Sequence, residues 1–132
     1  AKGLFAFEGG RATLDGCTIE SNKGGVEARD QAAVTLSNCE IRGNTGSGVY
    51  AHDGGTANVT NCRITGNTMN GILLKGGTAT ISNCTVTQNA QFGLSCSGSP
   101  GAISVANSDF SGNTLQGIQP TCTITRSGTI KE

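Results

Sequence analysis

The chain's single histidine, His52, stands two positions after its single tyrosine, Tyr50, and directly before an aspartate, Asp53. An imidazole that exchanges protons near neutrality, a phenol and a carboxylate are the parts of a general acid–base site. Six cysteines offer a second kind of chemistry: metal ligation, disulfide formation or a reactive thiolate. Whether either set is used depends on the elements that carry it.

The chain has 132 residues, room for one domain, and at this size a core forms without metal or disulfide support. Nine basic and nine acidic side chains cancel, and charged residues make up 14% of the total. There is no basic stripe for nucleic acid and no acidic block for a cationic partner. No apolar run approaches the roughly 20 residues of a membrane-spanning helix, and no charged-then-apolar leader precedes the pattern. The pattern is already under way at Gly3, so the chain is expected to belong to a longer protein. Gly, Thr, Ser and Asn abound, aromatics are 4%, and β-branched residues outnumber good helix formers.

Written from a recurring glycine, the sequence falls into coils starting at Gly3, Gly25, Gly48, Gly71, Gly93 and Gly117. Starts separated by 22 to 24 residues signal a solenoid whose units cannot bury their apolar sides alone. Within each unit the apolar positions alternate. Leu4, Val26, Val49, Ile72 and Leu94 form one column, and Ala6, Ala28, Ala51, Leu74 and Cys96 another two residues on. Between them lies a chemically mixed column of Phe5, Glu27, Tyr50, Leu73 and Ser95. One apolar and one variable set at period two is a half-buried strand. A second strand repeats the alternation with Val34 and Leu36 as its inward pair in the second coil, and a short third strand carries Ile19, Ile41, Ile64, Val86 and Phe110. Three short strands per coil predict an all-β, single-stranded parallel β-helix of five to six coils spanning residues 1–132. Each strand would pair with its counterpart one coil away, about 4.8 Å along the axis. Two asparagine columns, Asn22/Asn44/Asn67/Asn89/Asn113 and Asn38/Asn61/Asn83/Asn107, read as corner chemistry. Asparagine accepts a left-handed backbone, and stacked amides bond one another along the axis.

The pattern G-V-x-A-x-D-G-G-x-A-x-V-x-N-C-x-I-x-G-N resembles right-handed parallel β-helix repeats of the pectin-lyase-like superfamily, nearest to bacterial and F-box-type β-helix repeats. The resemblance runs from Gly3 to about Gly117. It implies the right hand. It does not choose an activity, because the superfamily holds polysaccharide lyases, hydrolases, epimerases and non-catalytic binding domains, and a fold does not settle a function.

Cys17, Cys39, Cys62 and Cys84 share one column, with Ser108 in that place in the fifth coil. A linear stack cannot set four sulfurs around one zinc, so these read as small buried thiols. Cys96 and Cys122 depart from the column and lie one coil apart, which makes a Cys96–Cys122 disulfide securing the last coil the natural hypothesis and, with it, an oxidising compartment.

The same register places Glu27, Arg29 and Asp30 beside Tyr50, His52 and Asp53, with Lys75 one coil further. By the resemblance, a carbohydrate-active enzyme would use Arg29, Tyr50, His52 and Asp53: a base takes the proton beside a uronate carboxylate while a cation steadies the enolate-like charge. Glu8, Asp30 and Asp53 also align, a column that in principle attracts calcium. Against this, position 52 is equivalent to Phe7, Arg29, Lys75 and Ser97, a solvent-facing column, and Asp53 begins a recurring corner. No long insertion walls a groove; the residues around "CSGSPG" are the sole candidates, and no Asp-Pro-His triplet is present. The expected function is therefore a binding or scaffolding module without cofactor or metal. Its surface patch comprises Phe5, Glu27, Arg29, Tyr50, His52, Leu73 and Lys75, and its partner is a glycan or a protein. End-to-end self-association, or contact with upstream coils, is the further partner expectation, and the composition leans towards an exported protein.

Overall fold

A computed structural model describes residues 2–98 and 101–132. The first coil holds strands β1 (Lys2–Ala6), β2 (Arg11–Asp15) and β3 (Thr18–Glu20). The second holds β4 (Gly24–Ala28), β5 (Ala33–Ser37) and β6 (Glu40–Arg42). The third holds β7 (Val49–His52), β8 (Thr56–Thr60) and β9 (Arg63–Thr65), and the fourth β10 (Ile72–Lys75), β11 (Thr78–Ser82) and β12 (Thr85–Thr87). Two further coils contribute β13 (Phe92–Ser97) and β14 (Ile103–Ala106), then β15 (Gln116–Ile118) and β16 (Thr125–Ser127). Three parallel sheets result: β1-β4-β7-β10-β13-β15, β2-β5-β8-β11-β14-β16 and β3-β6-β9-β12. This is the all-β parallel solenoid the repeat predicts. Two residues of the fifth-coil insertion, Ser99 and Pro100, lie outside the described residues.

Pairing follows the columns residue for residue. Val49 sits between Val26 and Ile72, and Leu36 between Leu14 and Val59. The inward residues from all three sheets meet in one core, where Leu36, Ile41, Val49, Ile64, Ile72 and Leu74 are fully buried. Burying a branched aliphatic side chain contributes about 1.5–3 kcal/mol, so each added coil stabilises the stack through several of them.

The two asparagine columns do different jobs. Asn38, Asn61, Asn83 and Asn107 are the left-handed corners, with φ between 48° and 54°, and Gly16 and Gly128 take the same position at 70° and 66°. Asn44, Asn67, Asn89 and Asn113 have no left-handed backbone and form an amide ladder instead, buried at the first three and half-buried at Asn113. Asn67 Nδ2 donates to Asn89 Oδ1 at 3.0 Å and to the Ile41 carbonyl at 3.2 Å. Its own Oδ1 accepts from Asn44 N–H and Asn44 Nδ2, both at 3.0 Å. The ladder needs the glycine column beside it: a Cβ on Gly48 would lie 2.9 Å from Asn67 Nδ2 and 2.8 Å from the Gly71 carbonyl.

The thiols form a second axial file. Cys39, Cys62 and Cys84 are buried, and each Sγ donates to the carbonyl two residues before it, at 3.2, 3.3 and 3.2 Å. Ser108 continues the file, its Oγ donating to the Ala106 carbonyl at 2.9 Å. Burial pushes the Cys39 thiol pKa up, and the Cys84 thiol, hydrogen-bonded to Cys62 and buried, is also raised, whereas the same hydrogen bond lowers the Cys62 thiol to about 7. Cys96 and Cys122 are joined by a disulfide across 26 residues. A loop of that length removes about 3.5 kcal/mol of unfolded-state entropy in the chain-entropy account.

Two outcomes follow. Asn67→Ala leaves Asn44 N–H, Asn44 Nδ2 and the Ile41 carbonyl short of a partner in a dry interior; chemical denaturation should show a loss of about 3–5 kcal/mol. Alkylation of the denatured, unreduced protein should block four thiols, and reduction should raise the count to all six; six before reduction would exclude the bridge.

Candidate functional site

Outward positions on β1, β4, β7 and β10 carry no packing duty, which leaves their chemistry free to vary. Register sets Glu27 opposite Tyr50, and Tyr50 opposite Leu73. His52 stands opposite Lys75. At the end of β7 the chain turns through Asp53 and Gly54, both left-handed at φ 50° and 80°, and the turn closes by Gly55 N–H donating to the His52 carbonyl at 2.9 Å. Glu8 and Asp30 occupy the same left-handed place in their coils, at φ 51° and 54°, so the acidic column is the outside of a corner.

His52 is not the solvated side chain its column suggests. Its ring lies against Tyr50, centroids 4.2 Å apart and planes at 14°. Nε2 is 2.6 Å from Glu27 Oε2, and Nδ1 is 2.8 Å from Asp53 Oδ2. The His52 and Glu27 side chains are only 13% and 11% exposed, whereas Asp53 is 67% exposed. The physical reason is diagonal reach: residues two apart on neighbouring rungs project from the same face, and imidazole and Glu are long enough to meet. Burial raises the Tyr50 phenol pKa above its ordinary range, with the Glu27 and Asp53 charges adding to the shift.

Around this cluster the other expected patch residues separate into smaller groups. Arg29 Nε lies 3.1 Å from Asp30 Oδ2, short of hydrogen-bond alignment, and its guanidinium carbon stands 4.9 Å from the centre of the Phe5 ring. Phe5 in turn stacks on Phe7 at 5.1 Å. Lys75 is exposed. The structure thus brings Glu27, Tyr50, His52 and Asp53 into one cluster, and Phe5, Phe7, Arg29 and Asp30 into another. Among the described residues no group of three or more His, Cys, Asp or Glu side chains is arranged to hold a metal ion.

A cleft of about 320 Å³ opens beside Tyr50, between Val26, Glu27, Ser47, Met69 and Leu73, with Gly24 and Gly46 leaving its floor bare. The sequence reading named Glu27, Tyr50 and Leu73 but not this cleft. The signal was present in the column Lys23–Gly46–Met69, where a glycine interrupts two long side chains.

A parallel solenoid with this register and these corners is what a family of repeats should share. A family model described as a right handed beta helix region matches residues 1–128. The chain belongs to that family. No curated protein and no solved structure matches it. Membership in the right-handed β-helix family accounts for the amide ladder, the corners and the inward columns; it assigns no ligand to the outward ones.

Because Tyr50 is the chain's one tyrosine and tryptophan is absent, ultraviolet titration reads it directly. Its midpoint should lie above that of free tyrosine, and Glu27→Gln should lower it. The sign for stability is the same: the folded state holds the proton longer, so stability falls as pH climbs beyond the unfolded tyrosine range.

Proposed function

We propose that this β-helix repeat region is a non-catalytic binding module whose contact surface is the outward face of the sheet β1-β4-β7-β10-β13-β15. The observation that carries the reading is the state of His52: both ring nitrogens face carboxylates, at 2.6 and 2.8 Å, and the ring is covered by Tyr50. A general base needs a nitrogen turned towards substrate. Arg29 is likewise engaged with Asp30 and Phe5 rather than turned to an open position where a charge clamp would act. What the face offers outward is ring surface from Phe5, Phe7 and Tyr50, aliphatic surface from Leu73, and the Lys75 ammonium. Flat aromatic and apolar surface rimmed by charge suits a glycan or a protein partner.

The clustering of Tyr50 with His52 favours one rival, a lyase or epimerase acting on acidic glycans through Arg29, Tyr50, His52 and Asp53. Incubation with polyuronates separates the two. The expected result is no ultraviolet-absorbing unsaturated product and no C5 inversion by NMR. Either product, abolished in His52→Ala, would replace the binding reading with the enzymatic one. On a glycan array, any ligand retained by the wild type should be lost in Tyr50→Ala.

A further inference from the structure

The cleft beside Tyr50 is one end of a longer apolar track. Met69 N–H donates to the Gly46 carbonyl, Gln91 N–H to that of Met69, and Leu115 N–H to that of Gln91, so these residues stand in one axial column. Met69 is 40% exposed and Leu115 is 57% exposed, two of the three large hydrophobics the described surface leaves open. Gln91 stands between them in that column, and half-buried Phe92 follows it in the neighbouring column, paired with Gln116. Beside the β7, β10, β13 and β15 rungs the apolar side chains at or next to this column are therefore Tyr50, then Met69 with Leu73, then Phe92 one column over, then Leu115.

The spacing of that track selects a partner. Rungs repeat at about 4.8 Å, whereas an extended chain returns a side chain to the same face only every ~6.6–6.8 Å and falls out of step within two rungs. An α-helix rises 5.4 Å per turn, so side chains one turn apart stay near successive rungs over a track of about 14 Å. A pyranose fits the cleft poorly, because its walls are mostly apolar and would strip ring hydroxyls of partners. Ser47, in the cleft wall, is 8% exposed, and its hydroxyl has no hydrogen-bond partner among the described residues.

Charge supplies the remaining specification. Exposed Lys23 continues the Gly46–Met69 column, and exposed Lys75 follows Leu73 by two residues. Among the described residues neither has a carboxylate within ion-pair distance. Glu27, the acidic group at the cleft, is turned to His52.

We infer that the cleft and its apolar track form the docking groove for an amphipathic α-helix of a partner protein, about three turns long, with an acidic flank. One apolar side chain of that helix anchors between Tyr50, Met69 and Leu73, and its acidic residues face Lys23 and Lys75. This rests on the binding reading above and names the partner class for the cleft.

The probe is a synthetic capped peptide of about 15 residues with one Leu per helical turn, Glu on both flanks and Ala elsewhere. Tyr50 fluorescence reports the cleft, since the peptide carries no aromatic residue, and circular dichroism reports the peptide's helix. Saturable binding with a gain of helicity is expected. Met69→Glu, at an exposed position that the core does not use, should weaken it about tenfold or more. The double variant Lys23→Glu with Lys75→Glu should also weaken it, and a Lys-flanked peptide should restore binding to that variant. Equal binding by a peptide of the same composition in alternating order, or unchanged affinity in Met69→Glu, would overturn the helix. A glycan lost in Tyr50→Ala, with no peptide binding at all, would remove the helix and leave the binding module standing.

Discussion

Asn67 can neither slide along the axis nor turn its amide. Its oxygen is held by Asn44 on one side and its nitrogen by Asn89 and the Ile41 carbonyl on the other. Asn44 and Asn89 also donate to the next amide and to a carbonyl, so the coils are indexed to one another by a chain of buried, directional bonds. Hydrophobic burial alone would not do so, because a stack of similar Val and Ile columns tolerates sliding by a fraction of a rung. A strand shifted by one residue would turn its inward set outward; the amide ladder adds a penalty of unsatisfied donors to that error. The glycine column is the ladder's counterpart. Gly3, Gly48, Gly71 and Gly93 leave the space that Asn22, Asn67, Asn89 and Asn113 fill.

Once inward columns and corners are committed to the stack, only outward positions remain to carry function. On this scaffold neighbouring rungs are so close that charged side chains meet their complements across coils. Arg42 reaches Glu20 at 2.8 Å on the third sheet, and His52 reaches Glu27 on the first. The two pairs differ in environment. The Arg42–Glu20 pair is about half exposed and contributes little to stability. The His52–Glu27 pair is nearly covered, so separating it leaves a charge in a poorly solvated place. The paired His52 ring in turn packs against the face of Tyr50.

The register was legible down to the individual residue, because every coil restates it: six glycines, five hydrophobic columns and the Cys–Ser file each repeat the same phase. What the sequence did not disclose is what depends on distances between columns rather than within them. Arg29 is the aligned partner of His52 by residue count, yet the bonded partner is Glu27, one diagonal away. That contact depends on where side chains of unequal length point, which a linear pattern does not encode. The two asparagine columns looked alike in sequence, and the backbone separates them: one turns left-handed and the other stays inside. The cleft was hidden for the opposite reason. It is made by side chains that are missing at Gly24 and Gly46, and alternation patterns record presence, not absence.

The cysteines show how the same element can stay unbridged in one column and be covalently joined in another. Along the Cys39–Cys62–Cys84 file every thiol has a carbonyl to donate to, and the side chains run parallel, so no bridge forms between neighbours. Ser108 enters the file without disturbance because the need there is for a small donor, not for sulfur. Cys96 instead stands in the inward column of Ala28, Ala51 and Leu74, and Cys122 approaches from a coil that has lost the repeat's register. The disulfide ties the sixth coil to the fifth, adding a covalent constraint to a stack that hydrogen bonds and burial hold elsewhere.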